Sequence, residues 1–307
     1  MVGREGADSL LLSGGLDSSI LAALSGDITV FTAALEGSFA PDIEYARRVA
    51  DAFGLEHHVH IFTVDDALDA IVEVIRILKT FDLALPNDLT AFFGLQLAKR
   101  HGAKKVMTGD GADELFAGYS YMHNLEPEQL DRYIYKLAQT MHFSSPELGR
   151  VLGIEIGQPY LSEGFIKFAV GISPDLKVRE EKGRTWGKWI LRKAFSGRLP
   201  EEIIFREKTA LEYGSGSTEL RQLLSSKISD GEFEESGKIP VKFINKEHLY
   251  YYKVYQTIVG EVPKPSSGER FCPCCGAGVP LGRYHCRVCG VSAPLEEYLE
   301  LDKLVGM

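Results

Sequence analysis

Residues 12–19 read LSGGLDSS, directly after the short apolar run Ser9–Leu12 and at the opening of a helical pattern over Ser18–Leu24. Gly14 and Gly15 permit a tight turn that brings backbone N–H groups close to an anion. The start of a helix adds unsatisfied donors and a favourable dipole. Ser13, Ser18 and Ser19 contribute hydroxyls, and Asp17 is a hard oxygen ligand suited to Mg²⁺. The plainer reading is a strand–turn–helix connection in which Asp17 or Ser18 only caps the helix. No Gly-Lys-Ser/Thr follows the glycines, so this is not a Walker loop.

Outward from this turn, apolar runs at Ser9–Leu12, Ile28–Leu35, His57–Phe62 and Lys105–Thr108 read as buried strands. Helical patterns at Ser18–Leu24, Asp42–Phe53, Thr63–Lys79 and Leu89–Arg100 lie between them. Strands alternating with helices predict an α/β fold, a parallel sheet with helices on both faces and right-handed crossovers. The ligand crevice of such a sheet opens at the carboxyl ends of the strands. From about Glu126 to Gln256 the pattern turns helical, most clearly at Trp186–Phe195, Ser217–Ile228 and Lys246–Val259. The stretch Glu261–Gly268, EVPKPSSG, reads as a linker. The expected organisation is a main domain over 1–263, a linker at 264–270 and a tail over 271–307 that ends in an acidic, leucine-spaced helix.

At 307 residues, 45% hydrophobic and 25% charged, the chain has the composition of an ordinary globular protein. No run approaches the ~18 apolar residues of a membrane span, and no secretory leader is visible. A net charge of −9 argues against sequence-blind nucleic-acid binding. All five cysteines fall between 272 and 289, which excludes a disulfide framework for the main body and fits a reducing, cytoplasmic setting.

A second motif, TGDGADELFAGY at 108–119, falls at another predicted strand end. Asp110, Asp113 and Glu114 lie within five residues, and such a loop suffers like-charge repulsion unless cations attend it. A plainer reading makes Asp113 and Glu114 complements to a helix dipole.

The SGGLDS segment resembles the pyrophosphate (PP) loop of the ATP pyrophosphatases, whose fold is that of the adenine nucleotide α-hydrolases. Together with TGDGADELFAGY it resembles the synthetase domain of the asparagine synthetases and the related β-lactam synthetases. FTAALEGS, DIEYARRVADAFGLEHHVH, LRKAFSGRLPEEIIFREKTALEYGSG and KEHLYYYKVY extend the resemblance over roughly residues 8–260. The resemblance implies that Ser13, Gly14, Gly15, Asp17, Ser18 and Ser19 hold pyrophosphate. It implies that Leu12, Ala33, Thr108 and Gly109 contact the adenosine, largely through backbone. Asp17 and Asp113 become the Mg²⁺-side carboxylates. Lys188 and Lys208 neutralise charge moving onto the leaving pyrophosphate, an electrostatic role that suits a compact ammonium. For Lys188 the alternative is a solvated lysine on a helix face.

The departures from the family concern the acyl substrate. Asp110 stands where the family usually has a glutamate tied to the acyl-adenylate. Ser144 and Glu147 stand where an arginine and a basic residue are usual. The family segment GxEARxPFLD appears as GIEIGQPYLS, with Gly157 and Ser162 replacing its arginine and last aspartate. Losing cationic partners for a substrate carboxylate should change what the pocket accepts.

Residues 272–289, CPCCGAGVPLGRYHCRVC, place Cys272-x₂-Cys275 and Cys286-x₂-Cys289 at the spacing of a closed, structural Zn²⁺ site. Cys274 is left over and His285 is a substitute ligand. Between 242 and 287 seven Lys/Arg face three Glu, with Tyr250, Tyr251, Tyr252, Tyr255, Phe271 and Tyr284 interleaved. This reads either as a modest RNA-facing surface or, preferably, as packing residues with the ribbon docked on its own domain.

The expected activity is that of an ATP-dependent, AMP-forming amide synthetase, a carbon–nitrogen ligase with aspartate-to-asparagine as its default reaction. No glutaminase segment or N-terminal nucleophilic cysteine stands in the sequence, so nitrogen is expected from ammonia or a partner glutaminase or other ammonia-donating chain. The alternative is an enzyme of the same fold acting on an RNA- or protein-borne substrate recruited by the ribbon.

Overall fold

The computed structural model describes residues 6–181 and 183–294. The acidic helix expected at the end of the tail lies outside them. The chain divides at residues 61/62, 89/90 and 216/217 into two compact units, each built from two stretches of sequence.

The first unit holds a five-stranded sheet of β1 (Ser9–Leu11), β2 (Thr29–Leu35), β3 (His57–Phe62), β4 (Lys105–Met107) and β5 (Glu155–Gly157). Their order is β3-β2-β1-β4-β5, and β1–β2, β1–β4 and β4–β5 all pair in parallel. In β2 the six residues from Val30 to Leu35 are all buried, so both faces of the sheet are covered, as a parallel sheet requires. Helix α1 (Leu16–Ser25) returns from β1, and α2 (Pro41–Phe53) starts with a proline in its first turn and ends at a left-handed Gly54. Leu10, Leu12, Ile20, Leu21, Val30, Ala46 and Val49 pack with Met107, Ile203 and Ile204 in one apolar cluster.

Two elements differ from expectation. β5 comes from the half read as helical, because three residues are too few to show a period of two against their surroundings. The helix expected from Trp186 begins at Trp189 instead. Arg179–Glu181 (β6) and Arg184–Trp186 (β7) form an antiparallel hairpin before it.

In the second unit α3 (Val64–Leu78) opens with a capping box in which the Asp66 N–H donates to Thr63 Oγ1 and the Thr63 N–H donates to Asp66 Oδ2. It packs on α4 (Lys246–Ile258), whose N-cap Asn245 accepts from the His248 N–H at 2.8 Å. Tyr251, Tyr252 and Tyr255 of α4 are buried, and Tyr252 and Tyr255 meet the Phe81 ring edge-on, each at 5.1 Å. They are packing residues. The tail begins with a hairpin of β8 (Glu269–Phe271) and β9 (Gly278–Pro280). It then docks on its own unit: Phe81 N–H donates to Val288 O at 2.8 Å, and Lys242 N–H to Cys274 O at 3.0 Å. His285 Nε2 lies 3.3 Å from Asp82 Oδ2, a partnership that takes His285 away from the thiols. No helix among the described residues is long and apolar enough to cross a membrane.

Candidate active site

Both glycine-rich loops leave adjacent strands at their carboxyl ends, the first from β1 and the second from β4. The order of the strands reverses there, with β2 and β3 on one side of β1 and β4 and β5 on the other. In open α/β sheets that point is where the ligand crevice lies.

In the first loop Gly15 is the N-cap of α1 and no side chain caps it, so neither Asp17 nor Ser18 serves as a cap. Ser13 N–H donates to Ser18 Oγ at 3.3 Å, and the Ser18 and Ser19 hydroxyls donate to Gly15 O at 3.3 and 2.7 Å. Gly109 lies directly against Asp17. Leu12 and Ala33 are buried in the sheet. The Leu12 N–H is committed to Phe31 O and its carbonyl accepts from Thr32 Oγ1.

Asp17 does not point into solvent. Lys188 Nζ lies 2.6 Å from Asp17 Oδ2 and 2.6 Å from Asp113 Oδ1, and Lys208 Nζ lies 2.7 Å from Asp113 Oδ2. Lys188 is 4% exposed, which rules out the solvated helix-face alternative. Burial, with the neighbouring Asp113 charge, raises the Asp17 carboxyl above its ordinary range, and the ammonium groups of Lys188 and Lys208 do not offset it. Burial also acts on Asp113, but two lysines outweigh it and hold that carboxyl well below the usual carboxylate range. Tyr160 OH donates to the Asp17 carbonyl at 3.0 Å.

The backbone around this network is strained. Ala117 and Lys188 have φ of 53° and 55°, left-handed values that non-glycine residues seldom adopt. The Lys188 N–H donates to Phe116 O at 2.8 Å. Gly118 passes so close to the Asp113 carboxylate and Lys188 Cε that any side chain there would overlap them. Strain and close approach together press the Lys188 ammonium between the two carboxylates.

Asp110 is held differently. Its Oδ2 accepts from Thr108 Oγ1 (2.7 Å), Ser145 Oγ (2.5 Å) and Gln158 Nε2 (2.9 Å), all neutral. Its Oδ1 has no donor among the described residues. Nearby, Ser144 is the N-cap of the helix Ser145–Leu152, and Glu147 lies 3.4 Å from His142 Nε2. Gly157 is buried in β5, and Ser162 donates its hydroxyl to Pro159 O. Glu114 accepts from Tyr119 OH at 2.7 Å; burial, then the Asp113 charge, pushes its carboxyl up to about 7.

Ser145, Gln158, Tyr160, Asp42 and Arg206 belong to this region and were not singled out from the sequence. Gln158 and Tyr160 sit within the altered GIEIGQPYLS segment and Arg206 within FREK, but nothing in the local pattern ties them to the loops.

The model of the asparagine synthase family matches residues 8–148 and 137–250. The chain belongs to the asparagine synthase family. It is 32% identical over 274 residues to the glutamine-hydrolysing asparagine synthetase 2 of Lotus japonicus, covering 80% of this chain and 46% of that one. The root enzyme of Pisum sativum is 34% identical and asparagine synthetase 1 of Arabidopsis thaliana 30%, each with the same 80% and 46% coverage. The chain thus spans about half the length of these curated relatives. A solved chain described as "predicted subunit of tRNA methyltransferase" from Methanocaldococcus jannaschii superposes at a TM-score of 0.30 with 18% identity, covering 65% of this chain and 92% of that chain. A likeness that loose carries no argument.

The family match stops short of the tail. There Cys272, Cys275, Cys286 and Cys289 are all buried, with their sulfur atoms within 4.8 Å of one another. Two Sγ–Sγ separations, 272–289 and 275–286, are 3.6 and 3.8 Å. A tetrahedral metal with M–S bonds of about 2.3 Å sets sulfur atoms about 3.8 Å apart. Each Cys-x₂-Cys knuckle turns alike, Gly276 N–H donating to Cys272 O and Gly290 N–H to Cys286 O. Cys274 stands outside the set, its thiol donating to Lys242 O at 3.1 Å.

Removing Lys188 leaves buried Asp17 without a paired cation and Asp113 with Lys208 alone, so Lys188→Met should lower the unfolding free energy by about 3–5 kcal/mol. Adding Asp17→Asn should recover part of that loss in urea titrations. Glu114 has a raised carboxyl, so its contribution to stability is present below its unfolded value and fades as pH rises through about 7. Glu114→Gln should therefore gain stability relative to the parent between pH 5 and pH 8, read from unfolding midpoints at the two pH values.

Proposed function

We propose that the chain is an ATP-dependent, AMP-forming amide synthetase, with aspartate as its default acyl substrate and ammonia as nitrogen donor, supplied free or by a separate glutaminase chain. The observation that carries this reading is the Lys188 ammonium set between Asp17 and Asp113, with Lys208 on the far side of Asp113, where the two loops meet. A protein that only binds nucleotide has no need of a buried lysine and a second, more exposed one where pyrophosphate would depart.

The chemistry runs in two steps. A carboxylate oxygen of the acyl substrate attacks the α-phosphorus, the bond from that phosphorus to the α–β bridging oxygen breaks, and pyrophosphate leaves. Ammonia then attacks the acyl carbonyl and gives up a proton as AMP departs. Ser13, Gly14, Gly15, Ser18 and Ser19 would cradle the pyrophosphate. Leu12, Ala33, Thr108 and Gly109 would line the adenosine. Lys188 and Lys208 would meet the charge growing on the leaving group, stabilisation supplied where charge develops. Asp110, fixed by three neutral donors and with one oxygen free, is assigned to the acyl side.

Asp17 Oδ1 is buried and has no hydrogen-bond partner among the described residues, which fits a hard cation held there with Asp113. Mg²⁺ bound to that pair would shield the charges of the polyphosphate. In the tail, the thiol spacing fits a structural Zn²⁺ on Cys272, Cys275, Cys286 and Cys289. The confinement of all five cysteines to the tail suits a cytoplasmic setting.

Pure protein incubated with ATP, Mg²⁺, aspartate and ammonium should yield AMP and asparagine together by chromatography, and neither with Lys208→Ala. AMP without asparagine would direct the search to another carboxylate, free or carried on RNA or protein. Stripping the metal with a strong chelator should lower the unfolding temperature. Zn²⁺ should restore it in the parent and not in Cys286→Ser.

A further inference from the structure

Arg206 stands two residues before Lys208, and none of the roles above employs it. Its side chain is 7% exposed and that of its partner Asp42 is 5% exposed. Nη1 donates to the backbone carbonyl of Ser13 at 2.9 Å. Nη2 donates to Asp42 Oδ1, and the guanidinium carbon lies 4.0 Å from the centre of the Tyr45 ring. Tyr45 also bounds the loop: Gly14, at φ 65°, lies so close to its backbone that a Cβ would overlap it. Asp42 is wedged in turn against Gly214. One planar group therefore touches the first glycine-rich loop and the first turns of α2, and its own strand of chain carries Lys208.

A buried ion pair of this kind adds little stability over apolar packing of the same shape. Its geometry is better accounted for by what it positions. Lysine could supply the charge but not the fork, which needs two N–H groups in one plane aimed at two acceptors with an aromatic face beneath.

We infer that Arg206 is a positioning residue that sets the spacing between the Ser13–Ser19 loop and Lys208. This rests on the nucleotide reading given above. The guanidinium fixes Ser13 O on one side and Asp42 on the other, while two residues later Lys208 Nζ reaches Asp113. Displacing Arg206 moves the loop and the lysine out of register, and a ~1 Å error at such a site is worth about 100-fold in rate.

The test compares the full chain with Arg206→Lys by calorimetry, using α,β-methylene-ATP with Mg²⁺ and, separately, AMP. The variant should bind α,β-methylene-ATP about tenfold more weakly, the loss of one charge-assisted contact. Its AMP affinity should be unchanged, because AMP lacks the phosphates that the loop and Lys208 would hold. Asp42→Asn keeps the shape and removes the charge; it should give the same pattern at smaller size, and it carries the test if Arg206→Lys does not fold. Variants that bind α,β-methylene-ATP as tightly as a binding parent would overturn this inference alone. So would an equal loss of both ligands. A parent that binds neither ligand would remove the nucleotide reading and this inference with it.

Discussion

Two carboxylates buried side by side cannot both stay ionised without a cation between them. Lys188 answers that constraint for Asp17 and Asp113, and much of the surrounding backbone follows from it. The left-handed turns at Ala117 and Lys188, and the bare backbone of Gly118, bring the ammonium to where it is needed. Each would be a cost in an ordinary loop. Here the electrostatic gain of a compensated pair over-determines them. Lys208 then gives Asp113 a second cation, which is why the two aspartates diverge: one is held ionised and the other is pushed toward its neutral form.

The parts of this arrangement that could be read from the sequence are those in which local spacing dictates geometry. A strand, two glycines and a helix start place Ser13–Ser19 without further information, and GDGADE at the end of another strand places Asp113 beside them. Two Cys-x₂-Cys pairs announced the thiol cluster in the same way. Lys188 and Lys208 came only through the family resemblance, since a lone lysine in a helical or loop pattern resembles any other. Ser145, Gln158 and Arg206 were out of reach because their roles depend on contacts across 35, 48 and 193 residues of sequence. β5 escaped for a related reason, since three residues become a strand only when β4 is there to pair with them.

The tail illustrates a different balance of forces. A few dozen residues cannot bury enough apolar surface to fold alone, and those described here include Phe271 at 72% and Leu281 at 54% exposure. Four thiols close enough to share one metal ion are where the missing stability would come from. Backbone hydrogen bonds from Phe81 and Lys242 then register the tail on its own unit.

That registration has a bearing on how the chain is made. The apolar face of α3, with Ala67, Ala70, Ile71, Val74 and Ile75 buried, packs on α4, yet α4 and the thiol knuckles lie near the other end of the chain. At ribosomal speeds of roughly 5–20 residues per second, α3 waits on the order of ten seconds or more for its partner. Throughout that interval the growing chain carries an amphipathic helix without the partner on which its apolar face packs. The apolar stripe of α3 is therefore without its α4 partner from the emergence of Leu78 until that of Ile258.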